Sequence, residues 1–210
     1  MTDPRTRPLE RKYRVTSRVY DILDWPWERR YRKWRPRLVG DFEGRVLEAG
    51  VGTGRNLRFY PPDVEVHAID LSEGMLARAR KRARHAEADV NLRKADVLDL
   101  EHLGDGSFDW YVATFLYCVL PDELQPPALA EMVRVLAPGG RFRLVEMVYS
   151  RSFLRRLVQR IMAPYVEWVF GARFDRRTVE HVEATPGLEI IDWEWLQEDT
   201  YLLLEGRRVG

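Results

Sequence analysis

The chain has 210 residues, 45% of them hydrophobic and 32% charged, a balance that excludes a disordered chain and allows one sizeable core. Its single cysteine, Cys118, excludes an internal disulfide, and no run approaches the ~18 apolar residues of a membrane-crossing helix. The net charge of +1 conceals an asymmetry: residues 1–37 hold 12 Lys and Arg against 5 Asp and Glu, and the remaining chain holds 22 against 28.

Met1-Thr2-Asp3-Pro4-Arg5 lacks the apolar stretch of a secretion signal. The expectation is a cytoplasmic protein, at most peripheral on the inner membrane face. The basic end is compatible with a solvated helical face, with anionic lipid or with nucleic acid. Trp25, Trp27 and Trp34 inside it tilt the balance towards lipid, because tryptophan favours membrane–water interfaces.

Residues 1–8 carry two prolines and read as a frayed tail. From Glu10 to Leu38 apolar residues fall at helical spacing, and Pro26 interrupts them, which predicts two short helices. From Arg45 the rhythm alternates between strands and helices. Val46 to Ala49 is the first strand, followed by a glycine turn and a helix through Phe59. Val64 to Ile69 is the second, and Ser72 caps a helix to Ala86, with Glu73 in its first turn.

Val90 to Arg93 and Asp109 to Thr114 are the next strands, and Asp122 to Leu136 is a helix. Pro138-Gly139-Gly140 turns into a strand over Arg141 to Met147. Phe153 to Val169 is an amphipathic helix with an apolar stripe of Leu154, Leu157, Val158, Ile161, Tyr165, Val166 and Val169; Arg155, Arg156, Gln159 and Arg160 take its other face. A short helix over Arg176 to Ala184 precedes two strands, Leu188 to Trp195 and Tyr201 to Glu205, whose brief link demands an antiparallel hairpin. The fold class is α/β, a Rossmann-like seven-stranded sheet, mostly parallel with an antiparallel last strand, plus N-terminal helices and a lid helix. It forms one domain over 1–210: a helical lid segment 1–38, a cofactor-binding core 45–149, a helical cover 150–185 and a hairpin 186–207.

The sharpest chemical signal is Glu48-Ala49-Gly50-Val51-Gly52-Thr53-Gly54. A dinucleotide fold places its third glycine where Arg55 stands, and a phosphate loop needs a Gly-Lys-Ser/Thr that is absent. A tight turn without a phosphate cradle suits a nucleoside carrying an amino-acid tail. Asp70, ending the second strand about 20 residues after Gly50, is placed to accept both ribose hydroxyls. Asp96 is placed to accept an adenine amino group, with Val97 on the ring and Leu71 and Met75 lining the pocket.

These residues, with the stretches VLEAGVGTG, AIDLSEGML, KADVLDL, FDWYVATF and EMVRVLAPGGRFRLVE, closely resemble the class I S-adenosylmethionine-dependent methyltransferases over nearly the whole chain. The similarity is greatest to the small-molecule branch, which holds quinone C-methyltransferases and bacterial phosphatidylethanolamine N-methyltransferases. It implies S-adenosylmethionine as cofactor, its methionine end on Glu48, Gly50 and Gly52 within the 48–54 turn, with Thr53 and Asn56 nearby. Thr114 and Phe115 are implied beside the sulfur, and Tyr13 and Tyr20 as tyrosines that close over it.

Methyl transfer from a sulfonium needs alignment more than a catalytic triad, and none is present. His67, His85, His102 and His181 are scattered and read as structural or solvated. Tyr20, Tyr117 and Glu146 are the catalytic candidates, with Cys118 and Tyr149 nearby at the same sheet edge. Quinone-methylating members carry an Arg-Asn pair where this chain has Cys118 and Val119, a departure that weighs against a quinone acceptor. The expected acceptor is therefore small and lipophilic, a phospholipid amine headgroup ahead of a quinone precursor, thiol or other metabolite. The expected partners include an anionic membrane surface, and neither nucleic acid nor metal.

Overall fold

The computed structural model describes residues 3–210. Its centre is a seven-stranded sheet of β1 (Arg45–Ala49), β2 (Glu65–Asp70), β3 (Asp89–Lys94), β4 (Phe108–Thr114), β5 (Leu136–Met147), β6 (Leu188–Gln197) and β7 (Tyr201–Arg208). The strands run in the order β3-β2-β1-β4-β5-β7-β6. The first five are parallel, and β7 lies antiparallel between β5 and β6, as the short link before it requires. The order reverses direction between β1 and β4, the point in such sheets where a crevice opens beyond the carboxyl ends of the strands.

Side-chain alternation divides the interior into two layers. Leu47 and Ala49 of β1 share one cluster with Leu129 and Met132 of α5 (Gln125–Val135) and Val182 of α7 (Thr178–Ala184). Val46 shares the other with Leu38 of α3 (Arg35–Val39) and Leu76 and Ala79 of α4 (Glu73–Ala83). Because both faces are covered, the strands read as near-continuous apolar runs. Ser72 caps α4 as expected, its hydroxyl accepting the Met75 N–H.

Several boundaries differ from the sequence reading. Only a 3₁₀ turn, Leu57–Phe59, follows β1, because Gly50, Gly52 and Gly54 spend that stretch at positive φ and Pro61-Pro62 then forbids a helix. β5 begins at Leu136 and absorbs Pro138-Gly139-Gly140, with a register shift against β4 between Phe108 and Trp110. α7 starts at Thr178 rather than Arg176.

The N-terminal segment forms three helices: α1 (Arg7–Thr16), α2 (Tyr20–Tyr31) and α3. Pro26 sits inside α2 without breaking it; the carbonyl that loses its helical donor there belongs to Ile22, a residue 74% exposed on the outer side of the helix. Nor is residue range 3–8 a frayed tail, since Thr6 is buried and its hydroxyl donates to Asp96; residues 1–2 of the expected tail lie outside the described residues.

The lid helix is α6 (Phe153–Phe170). Of its apolar stripe only Val166 and Val169 pack inward, while Leu154, Leu157, Val158, Ile161 and Tyr165 face outward. Gln159, which shares the other face with the arginines, is buried. Its amide accepts the Ser150 N–H at 2.7 Å and donates to the Val148 carbonyl and the Thr200 hydroxyl. A buried amide with every partner supplied is tolerated, which frees the apolar face to point away.

Candidate active site

The carboxyl ends of β1, β2 and β4 open into a cavity roofed by α1, α2 and the end of α6. The turn leaving β1 forms its floor. Gly52 has φ +56, and a Cβ built there meets nothing closer than the Gly50 carbonyl at 4.0 Å, so the backbone lies bare towards the cavity. Gly54 serves packing instead: its Cβ would sit 2.9 Å from the Ala79 Cα of α4.

Asp70 is fixed at the cavity wall by two backbone donors, Gly52 N–H to Oδ2 and Ser72 N–H to Oδ1, both at 2.8 Å. One bond comes from the glycine turn and the other from the start of α4, so the loops that form the floor also aim the carboxylate. Each oxygen keeps a lone pair. Desolvation raises its pKa to about 6, against the lowering effect of those two bonds. Asp96 is 5% exposed; its Oδ1 accepts the Leu98 N–H, and its Oδ2 accepts the Asp3 N–H and the Thr6 hydroxyl.

Glu48 is buried on the same face as Val46. Its oxygens take the Asn56 amide at 2.8 Å and the Tyr60 hydroxyl at 3.0 Å, and burial raises its pKa to about 7. Asn56 also donates to Thr114 Oγ1 at 3.0 Å and accepts from Arg35. Glu48 therefore braces Asn56 and ties the glycine turn to the end of β4.

The roof is held by charge. Asp21 of α2 accepts the Thr53 hydroxyl at 2.9 Å and contacts Arg55 at 3.1 Å, Arg82 at 3.0 Å and Arg78 at 3.5 Å. Glu28 pairs with Arg35 at 2.8 Å. At the other end Tyr13 donates to the Phe170 carbonyl at 2.6 Å, joining α1 to α6.

Of the residues named from sequence, Tyr13, Tyr20, Glu48, Gly50, Gly52, Thr53, Asn56, Asp70, Leu71, Met75, Asp96, Val97, Thr114 and Phe115 all line this cavity. Ala49 and Gly54 do not; the first is packed within the sheet and the second against α4. Tyr117 and Glu146 do not reach it either. Tyr117 is fully buried with its hydroxyl 3.2 Å from that of Tyr111, and Glu146 accepts the Tyr117 N–H at 3.3 Å, with burial raising its carboxyl to about 8. Both side chains are buried behind the cavity wall, Tyr117 in the core cluster of that layer. Cys118 is buried as well, its thiol pushed well above the ordinary range by desolvation. Tyr20 remains at the cavity, its phenol held protonated by burial.

Asp24, Trp27, Tyr31, Arg35, Phe170 and Tyr201 also line the cavity and were not named from sequence as residues of the site. The signal for three of them was present: Tyr20, Asp24, Trp27 and Tyr31 recur at helical spacing on one face of α2. The expected break at Pro26 hid that continuity. Among the described residues no group of side chains is arranged to hold a metal ion.

A methyltransferase-domain family model matches residues 46–140. The chain is 36% identical to a phosphatidylethanolamine N-methyltransferase of Cereibacter sphaeroides over 71% of its length and 72% of that protein. It is 32% identical to a demethylmenaquinone methyltransferase of Thermus thermophilus, covering 76% of this chain and 77% of that one. It is 28% identical to the human thiol S-methyltransferase TMT1A, covering 74% and 68%. The crystal structure of the N-methyltransferase NodS from Bradyrhizobium japonicum superposes with a TM-score of 0.66 at 20% identity, over 88% of this chain and 98% of that one. By its fold and by these relatives, the chain belongs to the S-adenosylmethionine-dependent methyltransferases, enzymes for which S-adenosylmethionine is the cofactor.

Proposed function

We propose that this enzyme N-methylates a lipophilic amine, the headgroup of an ethanolamine phospholipid, at an anionic membrane surface. The observation that carries the reading is the outward face of α6, where Phe153, Leu154, Leu157, Val158, Ile161 and Trp168 are all exposed, Phe153 by 78% and Trp168 by 77%. An apolar stripe of this breadth on a helix that ends at the cavity mouth suits an interfacial helix. Arg151, Arg156 and Arg160 lie exposed on the same helix or at its start, and Val15, Val19, Ile22 and Trp25 add exposed apolar groups on the roof. Among the described residues no helix is long and apolar enough to cross a membrane.

Bound S-adenosylmethionine supplies an electrophilic methyl on a sulfonium. The cavity suits it: Asp70 faces in with free lone pairs for ribose hydroxyls, and the bare Gly52 backbone leaves room for close approach. Asp96 offers an acceptor for the adenine amine. The chain's residues then align the acceptor and exclude water, worth up to roughly 7–11 kcal/mol of barrier. The nucleic-acid reading gains no support from the relatives, which are named for a phosphatidylethanolamine, a demethylmenaquinone and a thiol acceptor. A thiol or quinone-precursor acceptor is the second reading, on the strength of the relatives with those activities.

The test is labelled methyl transfer from S-adenosylmethionine into mixed phosphatidylglycerol and phosphatidylethanolamine vesicles. Label should appear in the ethanolamine lipid, and Ile161→Glu with Trp168→Asp should abolish sedimentation with vesicles. Equal turnover of a soluble thiol with no lipid labelling would overturn the reading.

A further inference from the structure

The cavity-facing stripe of α2 carries an unusual chemical sequence. Tyr20, Asp24, Trp27 and Tyr31 follow one another at steps of four, three and four residues, and all four line the cavity. Asp24 is only 9% exposed, and among the described residues its carboxylate is met by an ion pair rather than by a hydrogen bond. Its charge contact is Arg55 Nε, 3.3 Å from Oδ2, and that nitrogen is itself buried without a hydrogen-bond partner. A buried carboxylate so poorly provided for carries a free-energy penalty, which a ligand of opposite charge would relieve.

Aromatic rings line the same cavity. Phe170 packs edge-on against Tyr20 and Trp27, with centroids at 5.6 and 6.0 Å. Phe115 and Tyr201 approach Tyr31 at 5.1 and 5.3 Å. Ring faces attract cations, and a carboxylate in the same cavity adds a negative charge, shared with Arg55. A neutral phenol or thiol can give that carboxylate one hydrogen bond but brings no charge to it, and a phenolate or thiolate is repelled by it. An ammonium is served by both.

We propose that the α2 stripe is the ammonium-binding subsite of the acceptor, with Asp24 as its charge partner and Trp27 and Tyr31 as its aromatic walls. This rests on the amine reading above and extends it. An amine headgroup loses hydrogen-bond donors as methyl groups accumulate while its positive charge persists. Before each transfer the bound ammonium releases one proton, to Asp24 or to water. The freed nitrogen lone pair then forms the N–CH3 bond as the S–CH3 bond breaks to leave S-adenosylhomocysteine. A site built on ring faces and one carboxylate holds the mono-, di- and trimethylated cations alike between transfers.

The test titrates phosphocholine, the trimethylated headgroup, into the full chain loaded with S-adenosylhomocysteine, by calorimetry. Wild type should bind it, and Asp24→Asn should weaken that binding roughly ten- to a hundredfold. Trp27→Leu should weaken it by about two- to thirtyfold, and Asp24→Glu should retain most of it. The affinity for S-adenosylhomocysteine should change by less than about twofold in all three variants. Absence of phosphocholine binding to the wild type, or equal binding by Asp24→Asn, overturns the assignment. So does an equal loss of S-adenosylhomocysteine affinity in Asp24→Asn, which would give the carboxylate to the cofactor's amino group. Should Asp24→Asn misfold, Trp27→Leu carries the same comparison. If phosphocholine binds through Asp24 but no ethanolamine lipid is methylated, the lipid reading falls and the subsite stands.

Discussion

Replacing Asp70 with asparagine removes one negatively charged oxygen from the cavity wall and keeps the shape of the side chain. The amide retains one acceptor, so one of the two backbone donors, Gly52 N–H or Ser72 N–H, loses its partner, at a cost of about 1–3 kcal/mol. Against that loss, the carboxyl titrates at about 6 instead of 3.8 because it is desolvated. At 1.36 kcal/mol per unit, ionising it at neutral pH costs at most about 3 kcal/mol, less where cavity water screens it. The two effects nearly cancel, and the empty protein at pH 8 should unfold within about 4 °C of wild type.

Cofactor recognition has no such compensation. A charge-assisted hydrogen bond to a ribose hydroxyl contributes about 1.5–3 kcal/mol, so affinity for S-adenosylhomocysteine should fall roughly ten- to a hundred-and-fiftyfold. Calorimetric titration beside thermal unfolding at the same pH reads both quantities. Affinity within about twofold of wild type would displace the ribose from Asp70. A melting-temperature loss matching the affinity loss would show that the residue merely holds the loop together.

Glu146 gives a pH signature. Its carboxyl titrates near 8 in the folded chain against 4.5 ordinarily, so between those values the unfolded chain binds fewer protons and stability falls as pH rises. Glu146→Gln should melt higher than wild type at pH 8 and converge with it near pH 5; a difference independent of pH would contradict the cause given. Asp21→Asn loosens the contacts with Arg55 and Arg82 and should raise the S-adenosylhomocysteine dissociation rate roughly two- to fivefold in stopped-flow fluorescence. An unchanged rate would mean that α2 does not gate the cavity. Gly52→Ala and Gly54→Ala should fail differently: the first loses cofactor affinity with about 1–2 kcal/mol of backbone strain, the second loses more stability by clashing with Ala79. Equal melting temperatures for the two variants would refute that division.

The parallel sheet and the reversed last strand were legible because strand length, turn residues and a short final link leave few alternatives. The glycine turn and Asp70 were legible because their spacing is set by backbone geometry at one sheet edge. The α2 face was not, since a proline on a solvent-facing turn looks identical in sequence to one that stops a helix. The orientation of α6 was hidden for another reason. Periodicity reveals that two faces differ, and only the partners waiting for Gln159 at Ser150, Val148 and Thr200 decide which one is buried. Tyr117 and Glu146 read as site residues from their place after β4 and at the end of β5, but their side chains point behind the wall.

The outward face of α6 has a practical consequence for anyone purifying the enzyme. In plain buffer, with nothing to cover them, Phe153, Leu154, Ile161 and Trp168 meet the same surface on other copies. Particle mass should then climb with protein concentration and drop when mild detergent is added, and a multimer seen without detergent reports a helix seeking shelter rather than a designed assembly.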